Sequence, residues 1–141
     1  MKVLFDSNVY IKSWHDQEFT RWYETFARDL RPQTYASAVV VGECWAGARD
    51  KVGRQLVLQV FVPFERTGRI VIPLYSDWKE AGQLIPKLFD LSPTLRSKLG
   101  SLWNDLLIVL SSLRIGATVY TFNRQDFELI RTVKSFSLVV L

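Results

Sequence analysis

Short continuous apolar runs alternate along the chain with longer stretches in which apolar residues return every three or four positions. Runs of the first kind read as strands buried on both faces, and stretches of the second kind as amphipathic helices. Residues 2–5, with Val3-Leu4-Phe5, predict the first strand; it ends at Asp6, where a helix begins. Phe19, Trp22, Tyr23, Phe26 and Leu30 recur at helical spacing. Ser13 and Asp16 suggest a capping-box-like start for that helix, and Arg31-Pro32 its end. Thr34-Tyr35-Ala36 predicts a short strand, after which Ser37 caps a helix that carries Glu43 and ends near Gly47. Residues 50–62 predict a further helix with Leu56 and Val60 on its apolar side.

Arg69-Ile70-Val71-Ile72 reads as a strand stopped by Pro73. Asp77 opens a helix bearing Trp78, Ala81, Leu84 and Leu88, which Pro86 is expected to kink or shorten because it removes a backbone donor. Ser92-Pro93 pairs an N-cap with a proline at the first helical position. Asp105 is expected in the first turn of the next helix, ahead of Ile108, Val109 and Ser112, with Gly116 as a left-handed C-cap. Residues 117–122 predict a strand, 123–131 a turn and short helix, and 136–141 the last strand. Strands alternating with helices specify an α/β fold with a mostly parallel central sheet of about five strands and helices on both faces. No repeat, low-complexity tract or linker interrupts residues 1–141, so one domain is expected.

Composition supports a packed core: 48% of the 141 residues are hydrophobic and 23% are charged. The net charge of +4 and the pI of about 9.4 admit a polyanionic partner such as RNA or DNA, or an acidic protein. A small domain with a few extra lysines for solubility would look the same. Cys44 and His15 are the sole cysteine and histidine, which excludes an internal disulfide and a thiolate zinc site. A reducing cytoplasm is the expected setting, with no signal peptide and no membrane span.

Four acids share a telling context. Asp6 ends the first strand, at the edge where open parallel sheets bind ligands. Glu43 interrupts the apolar stretch Ala-Val-Val-Val-Gly-Glu-Cys-Trp-Ala-Gly. Asp105 precedes Leu-Leu-Ile-Val-Leu, and Asp126 follows the strand over residues 117–122 across a short turn. Singly, Asp6, Asp105 and Asp126 are explained by helix capping or the helix dipole. Glu43 is harder to explain that way, because a mid-helix acid in an apolar stretch needs a partner, such as an arginine. Carboxylates gathered in low dielectric repel one another and take up protons unless a cation intervenes. All-oxygen ligation points to Mg²⁺ or Mn²⁺ and suits phosphoryl chemistry.

The segments Val-Leu-Phe-Asp6-Ser7-Asn8-Val-Tyr-Ile, Val-Val-Val-Gly-Glu43-Cys-Trp-Ala-Gly, Asn104-Asp105-Leu-Leu-Ile-Val-Leu-Ser and Thr121-Phe-Asn123-Arg-Gln-Asp126-Phe127 resemble the four acidic motifs of PIN domains. The resemblance spans nearly the whole chain and is nearest to the VapC-like toxins of toxin–antitoxin pairs. It implies a single PIN-like domain acting as a Mg²⁺- or Mn²⁺-dependent endoribonuclease, inhibited by a cognate antitoxin and assembled as a homodimer. By position it implies that Asp6, Glu43, Asp105 and Asp126 are catalytic metal-site acids, with Asp6 and Asp105 holding the principal metal. Glu43 and Asp126 would complete the charge balance or position water. Ser7, Asn8, Asn104, Thr121 and Asn123 match supporting positions; Asn123 stands where some PIN domains carry an acid. In that mechanism a metal-activated water attacks an RNA phosphodiester and leaves 5′-phosphate and 3′-hydroxyl ends.

Other residues fit the picture less specifically. Lys12, Arg49 and Arg124, with Lys51, Arg54, Arg96 and Lys98, are candidates for RNA phosphates, Arg124 first because it lies between two motif residues, though such a residue is more often a solvated surface charge. Tyr10 and Trp14 offer rings for base stacking, with core packing the preferred reading. Cys44 reads as a buried small residue, since no histidine stands ready to activate it. His15 reads as structural or solvent-exposed. Competing functions are a PIN-type nuclease in RNA or DNA processing without an antitoxin, and a catalytically weak RNA- or protein-binding module. A phosphatase of the haloacid dehalogenase type needs a second aspartate where Asn8 stands, and is set aside.

Overall fold

A computed structural model describes residues 1–30 and 33–141. The expected helix end at Arg31-Pro32 lies outside the described residues. In chain order the elements are β1 (Lys2–Phe5), α1 (Ser7–His15), α2 (Gln17–Leu30), β2 (Thr34–Ser37), α3 (Ala38–Gly47), α4 (Lys51–Arg66) and β3 (Ile70–Val71). They continue with α5 (Tyr75–Leu91), a 3₁₀ segment (Pro93–Lys98), α6 (Leu99–Ile115), β4 (Ala117–Thr121), α7 (Arg124–Val133) and β5 (Leu138–Val140).

The five strands form one parallel sheet in the order β3-β2-β1-β4-β5. From β1 the chain steps outward to β2 and β3, then returns across the sheet to β4 and steps the other way to β5. Right-handed crossovers place the helices of these two windings on opposite faces. The direction reverses between β1 and β4, which creates a crevice at their C-terminal ends. Beneath it Val3, Leu4, Phe5 and Val119 are fully buried. Phe5 meets Tyr10, Tyr23 and Tyr120 edge-on.

Several local expectations change. Ser13 does not begin α2; it lies within α1 and its hydroxyl donates to the Tyr10 carbonyl at 2.6 Å. Asp16 alone caps α2, accepting from Phe19 N at 3.1 Å. Helix α4 continues past residue 62 to Arg66, through Pro63. Helix α5 starts before Asp77 and continues unbroken past Pro86 to Leu91. Pro86 is on the exposed side, while Ala81, Leu84, Ile85 and Leu88 anchor the buried side. Asp77 is the third residue of the helix, accepting from Leu74 N at 2.8 Å and pairing with Arg114 at 3.2 Å.

The helix carrying Asp105 starts at Leu99, after the 3₁₀ segment that Ser92-Pro93 opens. Asp105 therefore lies in its second turn and not its first, where the helix dipole no longer accounts for it. Strand β3 is cut to two residues, because its neighbour β2 ends at Ser37, opposite Val71; the Ile72 carbonyl accepts from Arg114 Nη2 at 2.7 Å. Among the described residues no helix is long and apolar enough to cross a membrane.

Candidate acidic site at the strand ends

Asp6 leaves β1 at the crevice and its side chain is almost entirely buried. Its backbone N–H donates to the Tyr120 carbonyl at 2.9 Å, which extends the β1–β4 ladder into the site. One carboxylate oxygen accepts from Ser7 N at 2.8 Å. The other accepts from Thr121 Oγ1 at 2.8 Å and from Asn8 Nδ2 at 3.2 Å.

Thr121, the last residue of β4, is the hub of this network. Its hydroxyl donates to Asp6 and accepts from Asn8 Nδ2 at 3.2 Å and Asn123 N at 3.0 Å. One donor and two lone pairs are all that a hydroxyl has. Asn8 closes the network by accepting from Phe122 N at 3.2 Å through Oδ1. Asn8 of α1 thus ties the end of β1 to the loop after β4.

Asn123 caps α7 and accepts from Asp126 N at 3.3 Å. Its amide donates to Asp126 Oδ2 at 3.1 Å, which fixes the fourth carboxylate. Asn123 therefore supports Asp126 directly. Glu43 projects from α3, and Asn104 precedes Asp105 on α6. The Asn104 amide and Ser7 hydroxyl lie near enough to Glu43 to favour its charged form. Its Oε1 nevertheless is buried with no hydrogen-bond partner.

Electrostatics show that Asp105 and Glu43 feel the neighbouring acids. Asp105, buried to 8% exposure, is pushed up to about 8. Burial contributes most, followed by the charges of Asp6, Asp126 and Glu43, against which Lys98 acts weakly. Glu43 is raised by burial and then by Asp6. Asp6 is raised by burial, opposed by its bonds from Thr121 and Ser7.

The acids are coupled without being in ligating geometry. Among the described residues no group of three or more Asp, Glu, His or Cys side chains is arranged to hold a cation as it stands. The two observations agree, since charge coupling in a buried setting reaches further than a metal–oxygen bond. Mutual repulsion gives uncompensated carboxylates reason to stay apart. The donor set is all oxygen, as a hard divalent cation requires, and the partnerless Glu43 Oε1 is an acceptor awaiting such a charge. In donor chemistry, though not in their spacing as it stands, the residues suit a hard divalent cation.

The remaining candidates sort by exposure. Tyr10 is fully buried and packs against Phe61 with ring centroids 5.0 Å apart, so it is core and unavailable to a base. Cys44 is buried and its thiol is pushed up to about 12 by burial, then Glu43 and Asp6, which excludes a nucleophile. His15 is exposed. Lys12 is exposed at the rim, its amine 4.5 Å from the centroid of Phe122. Arg49 and Arg124 are also exposed. The proximity of Lys98 to Asp105 was not visible in the sequence, because it depends on where the 3₁₀ segment gives way to α6.

A cavity of about 670 Å³ lies away from the acids. It includes Thr34 and Arg69, at the opposite ends of the strands.

No protein-family profile matches the chain, and no curated protein does. Solved structures do. VapBC2 from Rickettsia felis bound to a DNA fragment from its promoter aligns over 100% of this chain and 99% of its own, with 20% identity and a TM-score of 0.63. FitAB bound to the IR36 DNA fragment aligns over 98% and 94%, with 18% identity and a TM-score of 0.69. VapBC-1 from nontypeable Haemophilus influenzae aligns over 99% and 98%, with 19% identity and a TM-score of 0.62. At these identities the likeness establishes the fold.

Proposed function

We propose that this chain, a VapC-like PIN domain by its fold, is a divalent-metal-dependent endoribonuclease and the toxin of a toxin–antitoxin pair. The observation that carries the proposal is the convergence of four acids from four separate segments, close enough for Asp6, Asp126 and Glu43 all to raise Asp105. A stable fold does not need four repelling carboxylates at one sheet edge, whereas a cation site does. Asp6 and Asp105 would hold Mg²⁺ or Mn²⁺, with Glu43 and Asp126 completing the set. Bound there, the ion would supply charge neutralisation at a phosphodiester and lower the pKa of a water.

The chain's own groups have separable tasks. Thr121, Asn8 and Ser7 fix the Asp6 carboxylate so that its orientation needs no reorganisation. Asn123 does the same for Asp126. Asn104 and Ser7 position Glu43. Lys12 and Arg124, on either side of the Thr121–Asn123 loop, would take flanking phosphates of the RNA. The full-length likeness to VapBC and FitAB complexes supports a protein antitoxin as partner. A homodimer is also proposed. Its surface is the exposed apolar group Ile72, Leu74, Tyr75 and Trp78 where β3 meets α5. Helix α2 is a weaker choice, because Phe19, Tyr23 and Phe26 face the core.

The test is cleavage of total cellular RNA by wild type and Asp6→Asn, with Mn²⁺ or Mg²⁺ and with chelator. Cleavage leaving 5′-phosphate ends is expected from wild type with metal, and a loss of at least about a hundredfold from Asp6→Asn, in line with the ~3–4 kcal/mol carried by a single electrostatic group at a reacting centre. Equal cleavage by a well-folded Asp6→Asn would sink the proposal. An adjacent reading frame whose product copurifies and blocks cleavage would identify the antitoxin.

A further inference from the structure

A second cavity, of about 240 Å³, opens between α1, α3 and the start of α4. Ile11, Cys44 and Val57 contribute apolar walls, while Trp14, His15 and Arg49 contribute a ring and two polar groups. It adjoins the acidic site through consecutive residues of α3: Glu43 belongs to the acids and Cys44 to the cavity.

Trp14, like Trp45, is engaged by no other ring among the described residues, and of the two only Trp14 lines the cavity. Trp22 is stacked between Phe19 and Phe26, and Trp78 meets Trp103. Trp14 is half-buried, lines the cavity and makes no ring contact among the described residues. Arg49 is similarly uncommitted. Arg114 and Arg131 are held by acids, and Arg69 lies over Phe64. Arg49 is exposed at the cavity mouth with no ion pair or hydrogen bond among the described residues. An apolar slot with one available aromatic face, a guanidinium at its mouth and a phosphodiester-cleaving site beside it suits an extruded base.

We infer that this cavity receives one unstacked nucleobase of single-stranded RNA against Trp14, with an adjoining phosphate on Arg49, and so sets which base flanks the cleaved bond. The inference rests on the ribonuclease reading and deepens it. Asp50 also lines the mouth, but its carboxylate accepts from Gly53 N at 2.7 Å as the cap of α4, whereas the Arg49 guanidinium is left to a phosphate, which favours RNA over an apolar peptide side chain as occupant.

The test measures binding of fluorescein-labelled single-stranded RNA by anisotropy, in chelator, to wild type, Trp14→Leu, Trp14→Phe and Arg49→Gln. The same RNA is also prepared with one abasic site, moved along the strand. Base stacking is worth about 1–3 kcal/mol per base, so Trp14→Leu should weaken binding about tenfold and Trp14→Phe much less. Arg49 is exposed, so Arg49→Gln is expected to weaken binding without changing the melting temperature. At one abasic position wild type should lose the same factor, and Trp14→Leu should lose nothing more. Wild-type RNA binding left unchanged by Trp14→Leu and Arg49→Gln overturns the base pocket alone. Failure of wild type to bind or cleave any RNA overturns the ribonuclease reading and this inference with it. An antitoxin peptide that buries Trp14 while RNA leaves it accessible assigns the cavity to protein and overturns the inference.

Discussion

Asp105 concentrates the physics of this molecule in one carboxyl group. Its pKa of about 8 lies well above the ordinary aspartate value, which persists in the unfolded chain. Between about pH 4 and pH 8 the folded state therefore binds more protons than the unfolded state, and stability falls as pH rises. That sign is opposite to the acid denaturation usual for paired carboxylates. Asp105→Asn removes the penalty and is expected to stabilise the metal-free protein at pH 8 by on the order of a few kcal/mol, at about 1.4 kcal/mol per pH unit of displacement, and to do little at pH 4. Thermal melts at the two pH values check this. The same substitution should abolish stabilisation by Mn²⁺, which in wild type should strengthen with pH because binding displaces a proton. Thr121 gives a second prediction. Thr121→Val keeps the shape but leaves Asp6, Asn8 and the Asn123 N–H each short of a partner. A loss of about 1–3 kcal/mol by denaturant unfolding is expected, with Thr121→Ser close to wild type.

At the scale of elements, the acids are delivered by the places where strands and helices change over. Asp6 caps α1 at the end of β1, and Asn123 caps α7 just after β4, so each cap also anchors a site carboxylate. Glu43 and Asp105 come instead from helix interiors. Gly116 ends α6 with φ at +69° and immediately starts β4, the strand that presents Thr121. No atom would lie within 4 Å of an added methyl there, so Gly116→Ala should cost only the backbone strain, about 1 kcal/mol, read as a lowered melting temperature. The elements were largely legible from apolar spacing, as the five strands and the Ser37 and Gly116 caps show. Where the reading slipped, packing outweighed local preference. Pro86 reads as a breaker, yet α5 continues because its buried side is well anchored. Ser92-Pro93 reads as a helix start, yet a 3₁₀ segment intervenes and moves Asp105 into the second turn.

Across the whole molecule, the winding of the sheet decides function. Strands β1 and β4 are neighbours although more than a hundred residues separate them, and their pairing brings Asp6 to Thr121. The exposed Ile72, Leu74, Tyr75 and Trp78 lie outside that machinery. Light scattering should give twice the chain mass if they form the proposed homodimer surface, and the monomer mass would refute it. The sequence by itself determined the α/β class and the strand and helix order, because periodicity is a local property, and it singled out the four acids as candidates. It also pointed to Cys44 and Tyr10 as packing residues. Only the tertiary structure decided that the acids are coupled, that Asn123 supports Asp126, and that Trp14 and Arg49 share a cavity beside Glu43. Those facts depend on strand order and helix placement, which arise from long-range packing and leave no trace in local spacing.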